Sequence, residues 1–153
     1  MDIEKDKFFM REALAEAETA FERGEVPVGC VAVIDGEIFS RVGNDRENSF
    51  DPTGHAEIIA LRETGAKIGS RVLADVTLYV TLEPCPMCMS AIMMARVGRL
   101  VYGASDSKLG AVKSRWNLPN EPAFGHSLRV TSGVLEDECA DILNRFFDHA
   151  RRR

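Results

Sequence analysis

The 153-residue chain predicts one α/β domain, a mixed β-sheet covered by helices on both faces. Three observations carry this. Apolar residues recur at helical spacing near both ends and in two internal segments. Short β-branched runs alternate with those segments, and no internal repeat, low-complexity tract or linker divides the chain over residues 1–153. A chain of this length buries roughly 68–70% of the surface its unfolded form exposes, so its core needs no disulfide support.

The elements follow in order. Ile3 to Arg23 is expected as an amphipathic helix, with Phe8, Phe9, Leu14, Ala17, Ala20 and Phe21 at helical spacing and Gly24 ending it. Val28 to Ile34 is a short apolar run, then the turn Asp35-Gly36, then a second run from Ile38 to Val42, a hairpin signature. The polar stretch Gly43 to Gly54 is a loop. His55 opens a second helix, with Ile58, Ile59 and Leu61 on its apolar side. Val76 to Leu82, β-branched and aromatic, is expected as a buried strand ending at Glu83-Pro84. Pro86 suits the first turn of a helix running to about Arg96. Leu100 to Gly103 and Leu128 to Val134 are further strands, and Glu136 to about His149 a closing helix. The connection from Gly103 to Leu128, about 25 residues, is long for a structureless loop. It is either functional or contains short helical turns around Val112 to Leu118.

Nothing near Met1 resembles a signal peptide, and no segment approaches the roughly 20 apolar residues that cross a bilayer. A cytoplasmic protein with no membrane partner is expected. The four cysteines agree: Cys30 and Cys139 suit small core positions, while Cys85 and Cys88 form a close pair of the metal or redox kind. The formal charge is −5, unevenly spread. Residues 1–25 hold eight acidic against four basic side chains, whereas residues 96–153 hold ten basic against seven acidic. A basic C-terminal third is compatible with an RNA ligand. Arg151-Arg152-Arg153 equally suit a solvated helix end that offsets its dipole.

Two motifs stand out, His55-Ala56-Glu57 and Pro84-Cys85-Pro86-Met87-Cys88. His55, Cys85 and Cys88 can hold a zinc ion and leave its fourth position to water. Cys85 and Cys88, three apart at a helix start, share a face, so both thiolates can meet one ion at about 2.3 Å. A histidine alone would be a capping or surface residue, and a lone Cys-x-x-Cys a redox pair or half a structural site. A structural site would need a fourth tight ligand. His126 and His149 sit in a late loop and a helix end, and Cys30 and Cys139 lie in regular elements, so a three-ligand catalytic site fits better. Zinc lowers the pKa of bound water towards about 7. Glu57 would take that water's proton, pass it to a ring nitrogen and help an amino group leave as ammonia. The attacked carbon must be electron-poor and carry an exocyclic amine, as at C4 of cytosine or C6 of adenine, and the paired motifs are the signature of such deaminases.

Beyond these motifs the chain resembles the bacterial tRNA-specific adenosine deaminases of the cytidine/deoxycytidylate deaminase superfamily. The likeness runs through Gly24-Glu25-Val26-Pro27-Val28-Gly29, Asp51-Pro52-Thr53, Leu78-Tyr79-Val80-Thr81-Leu82-Glu83 and Tyr102-Gly103-Ala104. It continues in Asp106 with Lys108 and Gly110-Ala111, in Gly133-Val134-Leu135 with Glu138-Cys139, and in Phe146-Phe147. The resemblance implies a three-layer, cytidine-deaminase-like fold with five strands, the last two parallel. It implies one Zn2+ per subunit, a homodimer, and conversion of adenosine to inosine at the wobble position of a tRNA anticodon stem-loop. It also implies that Asn44 contacts the target nucleotide, that the Ala56 N–H steadies the attacked ring, that Pro27, Val28 and Leu82 line the base pocket, and that Asp106 sits near the sugar. By sequence alone Asn44 is equally a turn residue and Asp106 a turn or cap. The chain departs from the family at Lys113-Ser114-Arg115 and Gly125-His126-Ser127, both in the long loop, with Trp116 between them as a stacking residue or a buried anchor. Deamination of a free nucleobase or nucleoside, such as guanine or cytosine, is the alternative that the acidic charge and the altered loop favour.

Overall fold

Period-two alternation decides which face of the sheet each strand residue serves. In the computed structural model, which describes residues 2–152, five strands form one sheet. They are β1 (Gly29–Ile34), β2 (Glu37–Gly43), β3 (Thr77–Leu82), β4 (Arg99–Ala104) and β5 (Arg129–Thr131), in the spatial order β2-β1-β3-β4-β5. β1 pairs antiparallel with β2 and β3, whereas β3, β4 and β5 run parallel. Four helices cover it: α1 (Ile3–Glu22), α2 (Ala56–Ile68), α3 (Pro86–Met94) and α4 (Glu136–Arg151).

Val31, Val33, Tyr79 and Val101 point to one face, where they pack with Phe9, Met10 and Ala13 of α1 and Cys139 of α4. Cys30, Ala32, Leu78, Val80, Leu100 and Tyr102 point to the other, against Ala56 and Ala60 of α2 and Met89, Ile92 and Met93 of α3. The expected three layers are present. α1 lies close on the sheet because Ala13 and Ala17 meet Gly29, where a Cβ would collide with the Ala13 carbonyl. The hairpin turn falls at Asp35 and Gly36, with φ of 49° and 78°, the left-handed pair that a two-residue loop requires.

Three elements differ from expectation. α3 stops at Met94 because Arg96 adopts φ 62° and donates to the carbonyls of Phe124 at 2.9 Å and Gly125 at 2.7 Å. β5 has three residues instead of the run from Leu128 to Val134: it pairs only opposite Arg99 to Val101, and Gly133, at φ 77°, turns the chain away. The long connection has helical turns, but they are 3-10 turns at Leu118–Asn120 and Pro122–Phe124. Pro119 and Pro122 favour those starts, while the N–H groups of Val112, Lys113 and Ser114 donate to Glu83 and are not free to build a helix. α4 reaches Arg151, whose guanidinium pairs with Asp148 at 2.7 Å. Both side chains of that pair are exposed. Arg153 lies outside the described residues.

The start of β4 is tied to α1 by a buried ion pair. Arg99 donates to both Asp6 oxygens at 2.9 and 2.6 Å, Tyr79 donates to Asp6 at 2.8 Å, and Arg99 also reaches Thr131 of β5 at 2.9 Å. Burial alone would raise the Asp6 pKa, but the hydrogen bonds from Arg99 and Tyr79 outweigh it and hold the carboxyl below its ordinary value. Removing one member of a buried pair costs about 3–5 kcal/mol. Asp6→Ala should therefore lose about that much stability at pH 7, measured by urea denaturation. Because the folded pKa lies below the unfolded one, the native carboxylate's contribution is complete above about pH 5 and fades as pH falls through the folded value. The gap between wild type and variant should narrow in acid.

Candidate active site

The functional groups collect where two helices begin. β2 ends at Gly43, and the loop that follows carries Asn44 and leads to His55, the N-cap of α2. β3 leads through Glu83 and Pro84 to Cys85, the N-cap of α3, with Pro86 in the first turn. Both caps are extended, with ψ of 147° and 173°, and neither side chain makes a capping hydrogen bond. The imidazole and thiol are turned instead toward each other. His55 Nδ1 lies 3.5 Å from Cys85 Sγ and 3.4 Å from Cys88 Sγ, and the three ligand atoms lie within 4.8 Å of one another. One nitrogen and two sulfurs at this spacing suit zinc, and three protein ligands leave a coordination position open.

Charge at this point is arranged by burial and by the neighbours. The Cys88 thiol beside it lowers the Cys85 pKa to about 4, while its hydrogen bond to Cys85 and burial push Cys88 up. The hydrogen bond to Cys85 raises His55. Glu57, in the first turn of α2 and 4% exposed, is pushed up to about 7 by burial. A carboxyl poised there both takes and gives a proton near neutral pH.

These groups open into a cavity of about 130 Å³. Val26, Val28 and Leu82 form its apolar side, and Asn44, His55, Glu57, Cys85 and Asp106 its polar side. Glu83, Arg46 and Leu109 also line it. Of the expected pocket residues, Val28, Leu82, Asn44 and Asp106 line the cavity. Pro27 and Ala56 are buried and do not line it, and the Ala56 N–H donates to Asn44 Oδ1 at 2.8 Å. A larger groove of about 580 Å³ runs between α2 and α3, away from this chemistry.

The family is decided by comparison with known proteins. The model of the cytidine and deoxycytidylate deaminase zinc-binding region matches residues 3–104. The chain belongs to this deaminase family. A tRNA-specific adenosine deaminase of Bacillus subtilis (strain 168) is 45% identical over 97% of this chain and 92% of its own. A solved structure from a study of A-to-I editing by tRNA:A34 deaminases at the wobble position is 47% identical, with a TM-score of 0.86 over 88% of this chain and 98% of that one. A guanine deaminase from Nitrosomonas europaea, 20% identical over 90% of this chain and 81% of its own with a TM-score of 0.74, shares the fold.

Within this deaminase, two residues that motif reasoning passed over hold the cavity's two loops. Glu25, 1% exposed, accepts from the N–H groups of Arg46, Glu47 and Asn48 at 2.9, 3.1 and 2.8 Å and from the Asn48 amide at 2.6 Å. Glu83, 2% exposed, accepts from the N–H groups of Asp106, Val112, Lys113 and Ser114 at 3.0–3.1 Å and from the Ser114 hydroxyl. Burial would raise both pKa values, and these donors overcome it and lower them. The signal in the sequence was an acid set at the border of an apolar run, at Gly24-Glu25-Val26 and Leu82-Glu83-Pro84. The Lys113-Ser114-Arg115 and Gly125-His126-Ser127 segments of the long loop also find partners. Lys113 donates to Ser132 at 3.0 Å, Arg115 lies over the half-exposed Trp116 ring at 5.7 Å, and His126 Nε2 sits 2.7 Å from the Val97 carbonyl.

Glu25→Ala should speed amide hydrogen exchange at Arg46 to Asn48 and leave Val112 to Ser114 protected, and Glu83→Ala should do the reverse. Each substitution should cost about 1–3 kcal/mol of local protection, read by exchange mass spectrometry.

Proposed function

We propose that residues 1–153 form one zinc-dependent hydrolase domain that converts adenosine to inosine at the wobble position of a tRNA anticodon loop. The observation that carries this is the His55, Cys85 and Cys88 cluster opening with Glu57 into a small cavity, in a chain 45% identical over 97% of its length to a tRNA-specific adenosine deaminase. His55 Nδ1 and the two thiolates would hold one zinc ion per subunit, which when bound supplies a water activated for attack. Glu57 takes the proton released and gives it to the ring nitrogen beside the attacked carbon; it then takes the remaining proton of the added hydroxyl and passes it to the amine, which leaves as the C–N bond breaks and the C=O bond forms. Water is consumed and ammonia leaves.

The other residues bind and orient. Asn44 spends its Oδ1 on the Ala56 N–H, so its Nδ2 is the donor it offers the nucleotide. The Ala56 N–H, given to Asn44 Oδ1, therefore acts on the ring by fixing Asn44. Val28 and Leu82 enclose the flat faces of the base, with Pro27 buried next to Val28. Asp106 Oδ1 accepts from the N–H groups of Lys108 and Leu109 at 3.0 and 3.1 Å, which fixes the rim where the sugar would lie. A cavity of about 130 Å³ excludes a base pair, so the base must enter unpaired, as from a loop.

No described helix is long and apolar enough to cross a membrane, and the proposed site of action is the cytoplasm, as a homodimer. The groove between α2 and α3, with apolar Ile58, Leu61, Leu73 and Ala91, supports self-association, and Met94, 70% exposed, lies beside it. Sedimentation should give twice the chain mass, and Met94→Glu should shift it towards the monomer.

The deciding experiment offers an adenosine-containing anticodon stem-loop beside free guanine, cytosine, adenosine and cytidine and follows ammonia release. Turnover of the stem-loop is expected; turnover of a free base alone overturns the tRNA assignment. Glu57→Ala should keep its fold and zinc content while turnover falls by about a hundred- to ten-thousand-fold.

A further inference from the structure

The loop joining Asn44 to His55 is rigid, yet it presents one large apolar side chain to solvent. Phe50 is 93% exposed, the most exposed large hydrophobic among the described residues. Its ring has no aromatic neighbour among them, whereas the other exposed phenylalanines, Phe8 and Phe147, pack on Phe9 and Phe146. Its backbone is at φ 51°, a conformation that glycine or asparagine adopts more readily than an aromatic residue. The loop beneath is held by Glu25 through Arg46, Glu47 and Asn48. Phe50 N–H reaches the Glu47 carbonyl at 3.4 Å, and Asp51 N–H the Arg46 carbonyl at 2.9 Å. The display is therefore built, in a loop whose Asn44 and Arg46, and the His55 that follows it, line the cavity.

We propose that Phe50 is a stacking platform for an unpaired nucleobase adjacent to the target adenosine, a role that rests on the RNA substrate proposed above. The charges around it favour a base over a phosphate. Asp45, Glu47 and Asp51 share this loop with Arg46 as its one cation, and Asp51 faces Arg62 at 3.9 Å, so acidic groups outnumber basic ones there and the uncharged ring face is the better contact for a polyanion's base than for its phosphates. Bases stack on aromatic rings irrespective of sequence, and a loop nucleotide beside a flipped-out adenosine has lost its own stacking partner.

The test measures kcat/KM on the anticodon stem-loop for wild type, Phe50→Trp, Phe50→Ala and Phe50→Gly, with abasic nucleotides placed in turn on either side of the target. Phe50→Ala should lose about tenfold, and Phe50→Trp should retain activity. Phe50→Gly, suited to φ 51°, should unfold no lower than wild type yet lose as much activity as Phe50→Ala. At one flanking position the abasic substrate should bring wild type down to the Phe50→Ala level and leave Phe50→Ala unchanged. Equal activity of wild type and Phe50→Ala on the intact stem-loop overturns the stacking role alone, as do losses that multiply at both flanking positions. Wild type that is inert on the stem-loop but turns over a free base overturns the tRNA assignment, and the stacking role with it.

Discussion

One imidazole and two thiols can meet only if two helices begin at the same point in space. The sheet order sets this. β1 lies between the strands that lead to α2 and α3, antiparallel to both, so the two chain segments leave the sheet on the same edge. The helices give up something locally for this. An ordinary N-cap side chain would satisfy a helix N–H and contribute about 0.5–2 kcal/mol, but His55 and Cys85 turn theirs away from their own helices. Asn44 restores part of the loss by accepting from the Ala56 N–H across the loop. The same bond fixes a side chain at the wall of the cavity.

Three buried glutamates show how environment divides one residue type into two roles. Glu25 and Glu83 each collect four or more donors, keep their charge in the interior, and hold the loops on either side of the cavity. Glu57 is buried without such a set of donors, and its pKa climbs to about 7. Hydrogen bonding to the charged form and desolvation of it act in opposite directions. The first makes a structural anion and the second leaves a carboxyl near its midpoint at neutral pH, within one small region.

The metal motifs were legible because their chemistry depends on local spacing: Cys85 and Cys88 one helical turn apart, and Glu57 two residues past His55. The strands were legible from alternation, and the hairpin from Asp35-Gly36, because those rules are also local. The roles of Glu25 and Glu83 were not, since their partners lie 21 to 31 residues away and acceptor geometry leaves no periodic trace. For the same reason the pattern of Leu128 to Val134 did not reveal that β5 has a neighbour over only three residues. Nor did the resemblance single out Val26, which lines the cavity beside Val28.

The long loop is fastened twice and by separate means. Glu83 grips its near half through Asp106 and Val112 to Ser114. Its far half is tied to the end of α3, where Arg96 holds the Phe124 and Gly125 carbonyls and His126 meets Val97. Between the two fastenings lie Arg115 to Asn120, which hold no metal ligand. That span turns back on the near half, its Arg115 and Trp116 N–H groups donating to the Gly110 carbonyl and its Leu118 N–H to Ala111, with Leu118 packed on the core. The loop's exposed middle, with Arg115 and Trp116 at its surface, is thus carried by the frame that also sets the start of α3.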